Sequence, residues 1–362
     1  MGLYPNHSNK DTTIPFILTP ISMKTRKENC HFIKELESKA EKDQRLTLEE
    51  ANFLISLEDI YVFDLIASAN YLRIKFKGNE ISLCSILNAK SGLCAEDCIF
   101  CSQSVHYKTN ITEYPLVSNE EMLTKAEEAS AMGAHKFGIV TSGKTIKKGE
   151  LEEICKVIRK IKEEGKIHRC ASLGILGPSE LLKLKEAGLE EYHHNLETAR
   201  SHFPKVCTTR DYEDDVETVR NAKAIGLKTC CGGIFGLGES SEQRMELAFT
   251  LIELDVDSVP LNFLHPIKGT KAANFPLLKP LEILKIIAVY RFLLPTKSIK
   301  LAGGRESNLR DLQSMIFAAG ANSTMLGNYL TTKGRDYKDD LQMIIDMGLK
   351  PVSNGKVLNA KT

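Results

Sequence analysis

Three cysteines lie close together in the stretch SGLCAEDCIFCSQS, where Cys94, Cys98 and Cys101 have the spacing C-x3-C-x2-C. Thiolates at such spacing can converge on one metal centre. A structural zinc ion needs a fourth protein ligand, and zinc knuckles favour C-x2-C pairs. An iron–sulfur cluster on three cysteines keeps one iron without a protein ligand, and an open position is typical of catalytic metal sites. The spacing therefore favours an iron–sulfur cluster over zinc.

The composition narrows the class of protein. The chain has 362 residues and 10 cysteines, with 48 Lys plus Arg, 47 Asp plus Glu and a formal net charge of +1. This balance predicts no nucleic-acid partner. No apolar run is long enough to span a bilayer, and the N-terminus lacks the basic lead-in of a secretory signal. We therefore expect a cytoplasmic protein without a membrane partner, whose clustered thiols serve metal binding or catalysis.

From residue 80 onward, short runs rich in Val, Ile and Leu alternate with amphipathic stretches. The candidate strands are 80–87, 136–142, 168–174, 191–197, 228–236, 258–264, 298–303 and 323–327. The candidate helices are 118–132, 149–164, 178–187, 211–225, 239–254, 280–294, 307–319 and 338–347. Strands and helices alternating over about 250 residues predict an α/β fold, a TIM-type (β/α)8 barrel, in preference to an open doubly wound sheet. The functional residues of such a barrel lie at the C-terminal ends of its strands.

The chain divides into four predicted parts. They are a flexible N-terminal arm at 1–22, a helical N-terminal extension at 23–78, the barrel at 79–350 and a polar C-terminal tail at 351–362. Within the extension, Thr47 and Glu50 can form a capping box, because each side chain can accept a backbone N–H of the other residue.

The three-cysteine motif (Cys94, Cys98 and Cys101), with the aromatic Phe100 before its last cysteine, resembles the signature of the radical S-adenosylmethionine (SAM) superfamily. That resemblance implies a 4Fe–4S cluster on the three cysteines, whose open iron is chelated by the amino and carboxylate groups of SAM. It also implies that Phe100 lies against the adenine of SAM.

A second stretch, Gly232-x-Ile234-x-Gly236, is similar to the glycine-rich motif of the same superfamily. As a dinucleotide-binding fingerprint it fails, because no third glycine follows. The resemblance to the superfamily motif implies instead that Gly232, Ile234 and Gly236 bring the backbone close to the cofactor.

Several longer stretches resemble the biotin synthase family in order and in spacing. They are NAKSGLCAEDCIFCSQSVHYKT, YHHNLET, CCGGIFGLGES, SVPLNFLHPIKGT, AGGRES and AAGANSTMLGNYLTT, and the match covers residues 40–350. The resemblance implies conversion of dethiobiotin to biotin, in which a 5′-deoxyadenosyl radical removes hydrogen from unactivated carbons and an auxiliary Fe–S cluster supplies the sulfur. It also implies two SAM molecules per biotin, an electron donor such as flavodoxin or ferredoxin, and a homodimer.

The auxiliary cluster is where the sequence departs from the family pattern. The pattern places a 2Fe–2S cluster on three cysteines and one arginine, and two of these cysteines match Cys170 and Cys230. The third falls on Gly138, which has no side chain to bind iron, and the arginine falls on Lys300. An ammonium binds a metal only after it has lost its proton, which is costly. Half of the implied ligand set is therefore missing or changed.

Two further cysteines are candidates to complete that set. Cys84 lies on the first predicted strand, beside the strand that has lost its cysteine, and Cys207 follows the fourth strand. Together with Cys170 and Cys230 they would supply four thiolates, and we hypothesise a rearranged auxiliary cluster, 2Fe–2S or with more irons. In the alternative, Cys84 and Cys207 are ordinary buried cysteines, which behave as small apolar residues.

Alternate residues of the fourth strand, His193, Asn195 and Glu197, share one face. The family pattern has Asn, Asn and Asp there, in contact with dethiobiotin and the SAM ribose. The resemblance therefore implies substrate contacts for His193 and Asn195 and SAM contacts for Asn195 and Glu197, although a structural histidine also fits His193. Asn262 matches the family residue near the ureido ring of dethiobiotin, where an amide can both donate and accept.

Three other functions remain open on the sequence alone. Another radical SAM enzyme of this scaffold, similar to methylornithine synthase or a hydrogenase maturase, would share the three-cysteine motif but not the SVPLNF and AGANS stretches. An electron-transfer or cluster-carrier protein would bind no SAM. A zinc-stabilised binding module would be colourless and zinc-loaded after anaerobic purification.

Overall fold

Parallel strands close into an eight-stranded barrel in this computed structural model, which describes residues 25–353 and 356–357. In spatial order the strands are β1 (Glu80–Lys90), β2 (Lys136–Thr141), β3 (His168–Ser172), β4 (Glu191–His193), β5 (Lys228–Cys230) with its continuation β6 (Gly233–Phe235), β7 (Ser258–Phe263), β8 (Ser298–Leu301) and β9 (Ser323–Met325). β9 pairs with β1, where Cys84 lies opposite Met325, and this pairing closes the sheet. The predicted (β/α)8 barrel with an N-terminal helical extension is confirmed.

Helices connect the strands and cover the outside of the barrel. They are α1 (Arg26–Glu41), α2 (Leu48–Ser56), α3 (Val62–Lys77), α4 (Asn119–Ala131), α5 (Lys148–Glu164), α6 (Pro178–Ala187), α7 (Phe203–Val206), α8 (Tyr212–Ala224), α9 (Ser241–Glu253), α10 (Pro280–Leu293), α11 (Arg305–Leu309), α12 (Met315–Ala318) and α13 (Tyr337–Asp346). Within the described part of the chain, none of them is both long and apolar enough to cross a membrane.

The helical extension consists of α1, α2 and α3, and it packs on the barrel through α10. Its predicted capping box is present: Thr47 Oγ1 accepts the Glu50 N–H at 3.3 Å, and the Glu50 carboxylate accepts the Thr47 N–H at 2.7 Å. These bonds satisfy two backbone donors that no intrahelical acceptor can reach. The predicted arm at 1–22 lies outside the described residues.

Several strand ends differ from the prediction by a few residues, and the largest differences are at β4 and in the C-terminal tail. β4 ends at His193 instead of running to residue 197, because the chain leaves the extended conformation and reaches a φ of +63° at Glu197. At the C-terminus, β10 (Lys350–Ser353) pairs parallel with β1, and β11 (Lys356–Val357) pairs antiparallel with β10. The predicted tail at 351–362 therefore begins with hydrogen-bonded strands.

The helix predicted at 307–319 is broken into α11, a 3-10 turn and α12. The side-chain amide of Asn308 donates to the carbonyl oxygen of Gly304 at 2.8 Å, and such local bonds compete with helical ones. Arg310 has a φ of +52°, which no regular helix contains. The break leaves the first turn of α11 directly beside the end of β8.

A buried ion pair joins α11 to α13. Arg305 Nη2 donates to Asp340 Oδ2 at 2.5 Å, and the two side chains are 1% and 0% exposed. Arg305 also lies 3.5 Å from Glu306, which accepts a hydrogen bond from the Tyr329 hydroxyl. A buried charge is expensive unless it is paired, and without Arg305 the Asp340 carboxylate keeps only a longer contact, with Arg335 at 3.9 Å.

We predict that Arg305→Met lowers the free energy of unfolding by about 3 kcal/mol, because it leaves the buried Asp340 carboxylate with only the 3.9 Å contact to the partly exposed Arg335. Urea unfolding at pH 7 measures this. Lys156→Ala, which breaks an exposed pair with Glu153, is the control and should cost less than about 1 kcal/mol. Equal losses in the two variants would contradict the assignment.

Candidate active site

A cavity of about 390 Å³ lies within the barrel, at the C-terminal ends of the strands. Its wall carries two groups of cysteines. The three-cysteine motif comes from the loop after β1, whereas Cys84, Cys170 and Cys230, here called the inner thiols, come from β1, β3 and β5 themselves. The other residues predicted to contact substrate or cofactor that line this cavity are Phe100, His193, Asn195, Glu197, Ile234, Asn262 and Lys300.

The loop after β1 folds back on itself and turns its three thiols toward this volume. The Cys94 N–H donates to the Gln103 carbonyl at 3.0 Å, and the Cys101 N–H donates to the Cys98 carbonyl at 3.0 Å. Cys94 and Cys98 are buried and Cys101 is half-buried, and all three line the cavity. The three thiols therefore share one cavity wall, and their convergence on one metal centre stays a prediction.

Cys207 lies beside this loop and not among the inner thiols. A hydrogen bond with Cys98 lowers the pKa of Cys207 to about 6 and raises the pKa of Cys98. Thr209 Oγ1 lies 3.5 Å from the Cys207 sulfur. Cys207 follows α7, beyond the end of β4, and does not lie on the cavity wall with Cys84, Cys170 and Cys230, so the structure favours a set of three thiols over the predicted four.

Glu197 brings an unpaired carboxylate to the cavity. Burial raises its pKa to about 7, although the nearby Arg210 guanidinium favours the charged form. Glu197 Oε2 is buried and has no hydrogen-bond partner among the described residues. Such an oxygen is costly to bury alone, and it suits a hydroxyl donor such as a ribose. Asn195 is fixed alongside, because its Oδ1 accepts the Gly232 N–H at 3.2 Å.

The glycine-rich stretch contributes Ile234 to the cavity wall, but Gly232 and Gly236 do not line it. A Cβ on Gly232 would lie 2.0 Å from the Pro260 carbonyl oxygen, so this glycine permits the close approach of the fifth barrel strand to β7. Gly236 has a φ of +96°, and its N–H donates to Glu239 at 2.9 Å. The two glycines shape the backbone here, and their contact with the cofactor stays a prediction.

The inner thiols surround the ammonium of Lys300. Its Nζ lies 3.6 Å from Cys230 Sγ, and the Lys300 side chain is buried on β8. Burial raises the pKa of both Cys84 and Cys230, while the Lys300 charge acts in the opposite direction. Burial opposes the charge on Lys300 itself, but Cys230 and Cys84 raise its pKa well above the usual value.

A buried carboxylate lies near the inner thiols and balances part of the positive charge in the barrel interior. Glu191, 1% exposed at the start of β4, pairs with Lys136 and lies 3.8 Å from Cys170 Sγ. Burial opposes its ionisation, but Lys136 and Lys300 lower its pKa to about 2. The interior of the barrel therefore holds two ammonium groups and one carboxylate before any thiol ionises.

The predicted substrate residues lie on the wall of the same cavity. His193 Nδ1 is 3.2 Å from Cys230 Sγ, and burial lowers the pKa of this histidine to about 4, so the ring is neutral at pH 7. Asn262 Nδ2 donates to the Gly233 carbonyl at 3.2 Å, and its Oδ1 accepts the Gly303 N–H at 2.9 Å. The first bond uses one of the two hydrogens on Nδ2, and the second uses one of the two lone pairs on Oδ1. The fixed amide can therefore still donate one hydrogen bond and accept another.

Comparison with known proteins identifies the family. Residues 90–252 match the model of the Radical SAM superfamily, and residues 260–350 match that of the Biotin and Thiamin Synthesis associated domain. Over 320 residues the chain is 55% identical to the biotin synthase of Geobacter sulfurreducens, covering 88% of this chain and 97% of that protein. The chain belongs to the biotin synthase family. With the biotin synthase of Geobacter metallireducens it shares 56% identity over 307 residues, which cover 84% and 93% of the two chains.

Solved structures outside the biotin synthase family share the fold. Methylornithine synthase superposes with a TM-score of 0.77 at 23% identity, covering 88% of this chain and 98% of that one. The FeFe-hydrogenase maturase from Carboxydothermus hydrogenoformans gives 0.76 at 19% identity, covering 90% and 80%. At these identities the likeness shows the fold alone, so the biotin synthase family is favoured over the other radical SAM enzymes considered from the sequence.

The cofactors of the biotin synthase family are a 4Fe–4S cluster, SAM and an auxiliary Fe–S cluster. The donor sets in this barrel fit them. Three thiols on one loop leave a cluster iron open, and the unpaired Glu197 Oε2 lies on the wall of the same cavity. The inner thiols offer three sulfurs for the auxiliary cluster, close to the cation Lys300.

Sequence reasoning missed Glu191, Lys136 and Arg210. A charged residue at the start of a strand, as in Glu191 and Lys136, usually faces solvent, so neither position signalled burial. Their approach depends on the pairing of both β2 and β4 with β3, which no local pattern specifies. Arg210 lies in TTR, a stretch without helical or strand periodicity, and carried no signal of its own.

We predict a pH-dependent effect of Glu197→Gln on stability. The pKa of Glu197 rises from 4.5 in the unfolded chain to about 7 in the folded one, so the folded state holds more protons between these values and wild-type stability falls as the pH rises through this window. The advantage of Glu197→Gln over wild type should grow by up to about 3 kcal/mol from pH 4.5 to pH 8.

Urea unfolding of the cofactor-free proteins at several pH values measures this difference. Glu128→Gln, at an exposed position in α4, is the matched control and should show a constant difference from wild type. A pH-independent difference for Glu197→Gln would contradict the raised pKa.

Proposed function

We propose that this chain converts dethiobiotin to biotin by radical-dependent sulfur insertion. The observation that carries this proposal is that two cysteine groups share the wall of one cavity with His193, Asn195 and Asn262. Such a cavity can hold a small cyclic urea with one end toward each group. When bound, SAM and the 4Fe–4S cluster supply a 5′-deoxyadenosyl radical, and the auxiliary cluster supplies the sulfur.

The residues of the chain bind, orient and exclude water. Cys94, Cys98 and Cys101 hold the 4Fe–4S cluster, and Glu197 Oε2 accepts a hydroxyl of the SAM ribose. Neutral His193 and the fixed amide of Asn262 suit an uncharged ureido group, because neither brings a charge that would need water. A radical that attacks unactivated C–H bonds needs a dry, positioned site, and burial of these side chains supports one.

The inner thiols are the ligands that we propose for the auxiliary cluster. A Cβ on Gly138 would lie 3.2 Å from Ile86 Cγ2 and 3.9 Å from Cys170 Cβ, so this position faces the cluster site but is crowded by Ile86. Cys84 lies two residues before Ile86 on β1, on the same face, and is buried beside Lys300. Its thiol takes the place of the sulfur that Gly138 does not supply.

Lys300 acts beside this cluster as a cation and not as a ligand. Its ammonium lies within reach of Cys230 and is balanced by Glu191, and a protonated amine has no lone pair for iron. One ammonium among three thiolates reduces the excess negative charge in the barrel interior. A measurement of the iron content per chain distinguishes a 2Fe–2S cluster from a form with more irons.

The electron donor, the oligomeric state and the cellular location are inferred from the same family. We expect a flavodoxin or ferredoxin as electron donor, a homodimer, and a cytoplasmic enzyme. The boundaries of the arm, the extension and the barrel stay predictions. These expectations rest on family resemblance and on the composition of the chain.

We predict that Cys84→Ala protein, loaded anaerobically with iron and sulfide, loses the iron of the auxiliary cluster and keeps that of the 4Fe–4S cluster, because one of the inner thiols is gone. Iron and acid-labile sulfide analysis with Mössbauer spectroscopy measures both. Cys231→Ala is the matched control, since Cys231 adjoins Cys230 but points into the apolar core against Leu196. Unchanged auxiliary iron in Cys84→Ala would sink the proposed ligand set.

We predict that anaerobic turnover with dethiobiotin, SAM and a reductant yields biotin and 5′-deoxyadenosine. Cys94→Ala should abolish both products, because it removes a ligand of the 4Fe–4S cluster. Cys170→Ala should still form 5′-deoxyadenosine but no biotin, because it affects only the sulfur source. Chromatography with mass detection follows both products. Wild-type protein that forms 5′-deoxyadenosine but no biotin would argue for another radical SAM reaction.

A further inference from the structure

Five exposed lysines lie in segments that pack on the loop after β1, residues 91–113, which carries the three-cysteine motif. They are called here the basic rim: Lys108, Lys205, Lys268, Lys271 and Lys333. They come from the segments that follow β1, β4, β7 and β9. These segments all leave the C-terminal ends of strands, so the five lysines belong to the same end of the barrel as the motif.

Backbone hydrogen bonds of Ile99, which lies between the second and third cysteines of the motif, hold two of these segments in place. The Ile99 carbonyl accepts the Ala272 N–H at 3.0 Å, and the Ile99 N–H donates to the Val206 carbonyl at 2.9 Å. Lys271 precedes Ala272, and Lys205 precedes Val206. Both lysines are therefore adjacent to a residue that is bonded to the motif.

The segment after β7 also packs on the end of the loop. Gly269 has a φ of +98°, and a Cβ there would lie 2.1 Å from the Lys108 carbonyl oxygen. Lys268 directly precedes this glycine. The Thr109 hydroxyl donates to the Ser102 carbonyl at 2.6 Å and holds this end of the loop against the motif. Lys108 and Lys268 are thus brought close to each other in the chain's fold.

Lys333 joins the basic rim through the segment after β9. Thr331 Oγ1 lies 2.9 Å from Ser102 Oγ, and Ser102 directly follows Cys101. Lys333 comes two residues after Thr331. Each lysine of the basic rim is therefore within two residues of a contact with the loop that carries the motif.

The charge of the basic rim is not neutralised by ion pairs. Within the described part of the chain, none of its five ammonium groups is paired with a carboxylate. At the opposite end of the barrel, by contrast, Lys223 and Lys297 both pair with Asp255. The chain as a whole has a formal net charge of only +1, so its positive charge is unevenly exposed.

Three carboxylates belong to the same loop. Glu96 is buried and accepts the Thr209 hydroxyl at 2.8 Å, and Asp97 accepts the Thr208 N–H at 2.7 Å. Glu113 is exposed. The five ammonium groups outnumber these three carboxylates, so the surface around the motif is positive and attracts a negatively charged partner.

Two apolar side chains are exposed on the same loop. Leu93 is 70% exposed and has a φ of +53°, which is uncommon for a branched residue, and Val105 is 56% exposed. The Val105 N–H donates to the Cys94 carbonyl at 2.9 Å, so both side chains lie next to the first cysteine. Exposed apolar residues together with charged ones are the composition of a protein–protein interface.

The proposed reaction requires an electron at this place. The 4Fe–4S cluster must be reduced before SAM is cleaved, and electron transfer slows steeply with distance, so a donor has to come close to the motif. Cys101 is only half-buried, so the motif approaches the surface at this loop. Electron-transfer complexes have small interfaces, and charge complementarity sets how fast they form.

We propose that the basic rim, together with Leu93 and Val105, is the docking surface for a small acidic electron-carrier protein. In the complex one electron leaves the carrier and enters the 4Fe–4S cluster, which passes from the 2+ to the 1+ state. This inference rests on the proposed function, since it requires the cluster to be held by the three-cysteine motif.

The test uses anaerobically loaded enzyme and flavodoxin hydroquinone as the probe, and stopped-flow absorbance follows oxidation of the flavin. Lys268→Glu combined with Lys271→Glu should lower the second-order rate constant about tenfold or more at low salt, because attraction between opposite charges is lost. Lys108→Glu combined with Lys333→Glu should do the same from two other segments. Both effects should shrink at about 1 M salt, where the Debye length is about 3 Å.

Lys160→Glu combined with Lys183→Glu, at exposed positions on α5 and α6, is the control matched in charge and should react as fast as wild type. Photoreduced 5-deazaflavin is a small donor that needs no docking surface, and it should give the EPR signal of the reduced cluster in every variant. A rim variant without this signal would count against the inference, because its lysines would then support the cluster.

Equal rate constants for wild type and both rim variants at low salt would overturn the inference. So would a loss in the rim variants that stays the same at high salt, because charge would then not be its cause. Wild-type enzyme in which neither donor produces the EPR signal of a 4Fe–4S cluster would instead refute the proposed function.

Discussion

The ammonium of Lys300, buried among three thiols, is the constraint on which the interior of this barrel depends. A charge in such a place is stable only if opposite charges and hydrogen bonds surround it. Glu191 supplies one negative charge and is in turn paired with Lys136. The remaining compensation comes from Cys230 and Cys84, and it is complete only when these thiols ionise or bind a metal. The interior is thus electrostatically prepared for a group that carries thiolates.

Barrel closure is what assembles this set. Cys84, Cys170, Cys230 and Lys300 come from four different strands, and they meet because β9 pairs back onto β1. Every one of these strands also presents its C-terminal end to the same cavity. The loops that follow carry the three-cysteine motif, Glu197 and Cys207. Closure of the barrel therefore creates both proposed metal-binding regions and the cavity that they share.

Much of this could be predicted from the sequence, and the reason lies in local patterns. The strand and helix alternation, the three-cysteine spacing and the capping box at Thr47 are properties of short stretches, and the structure contains each of them. Gly138 and Lys300 could be recognised as unusual because the family pattern has other residues at these two ligand positions. The inward direction of Cys84 follows from its strand position, two residues before Ile86, which lies opposite Gly138.

The rest could not be predicted because it depends on distant parts of the chain. The sequence places Cys207 after the fourth strand, but only the folded structure, through bonds such as that between Ile99 and Val206, shows that its segment packs on the three-cysteine loop. Glu191 and Lys136 look like ordinary strand-end charges until closure buries them. The roles of Gly232 and Gly236 depend on the approach of β7, which no local motif encodes.

The central claim is that two clusters bind at two separate groups of cysteines in one cavity. Anomalous X-ray diffraction at the iron edge, from crystals of anaerobically loaded protein, tests it most directly. The account predicts one iron site within bonding distance of Cys94, Cys98 and Cys101, and a second within bonding distance of Cys84, Cys170 and Cys230. Iron bound by Cys207, or an inner site without iron in protein of full iron content, would contradict it.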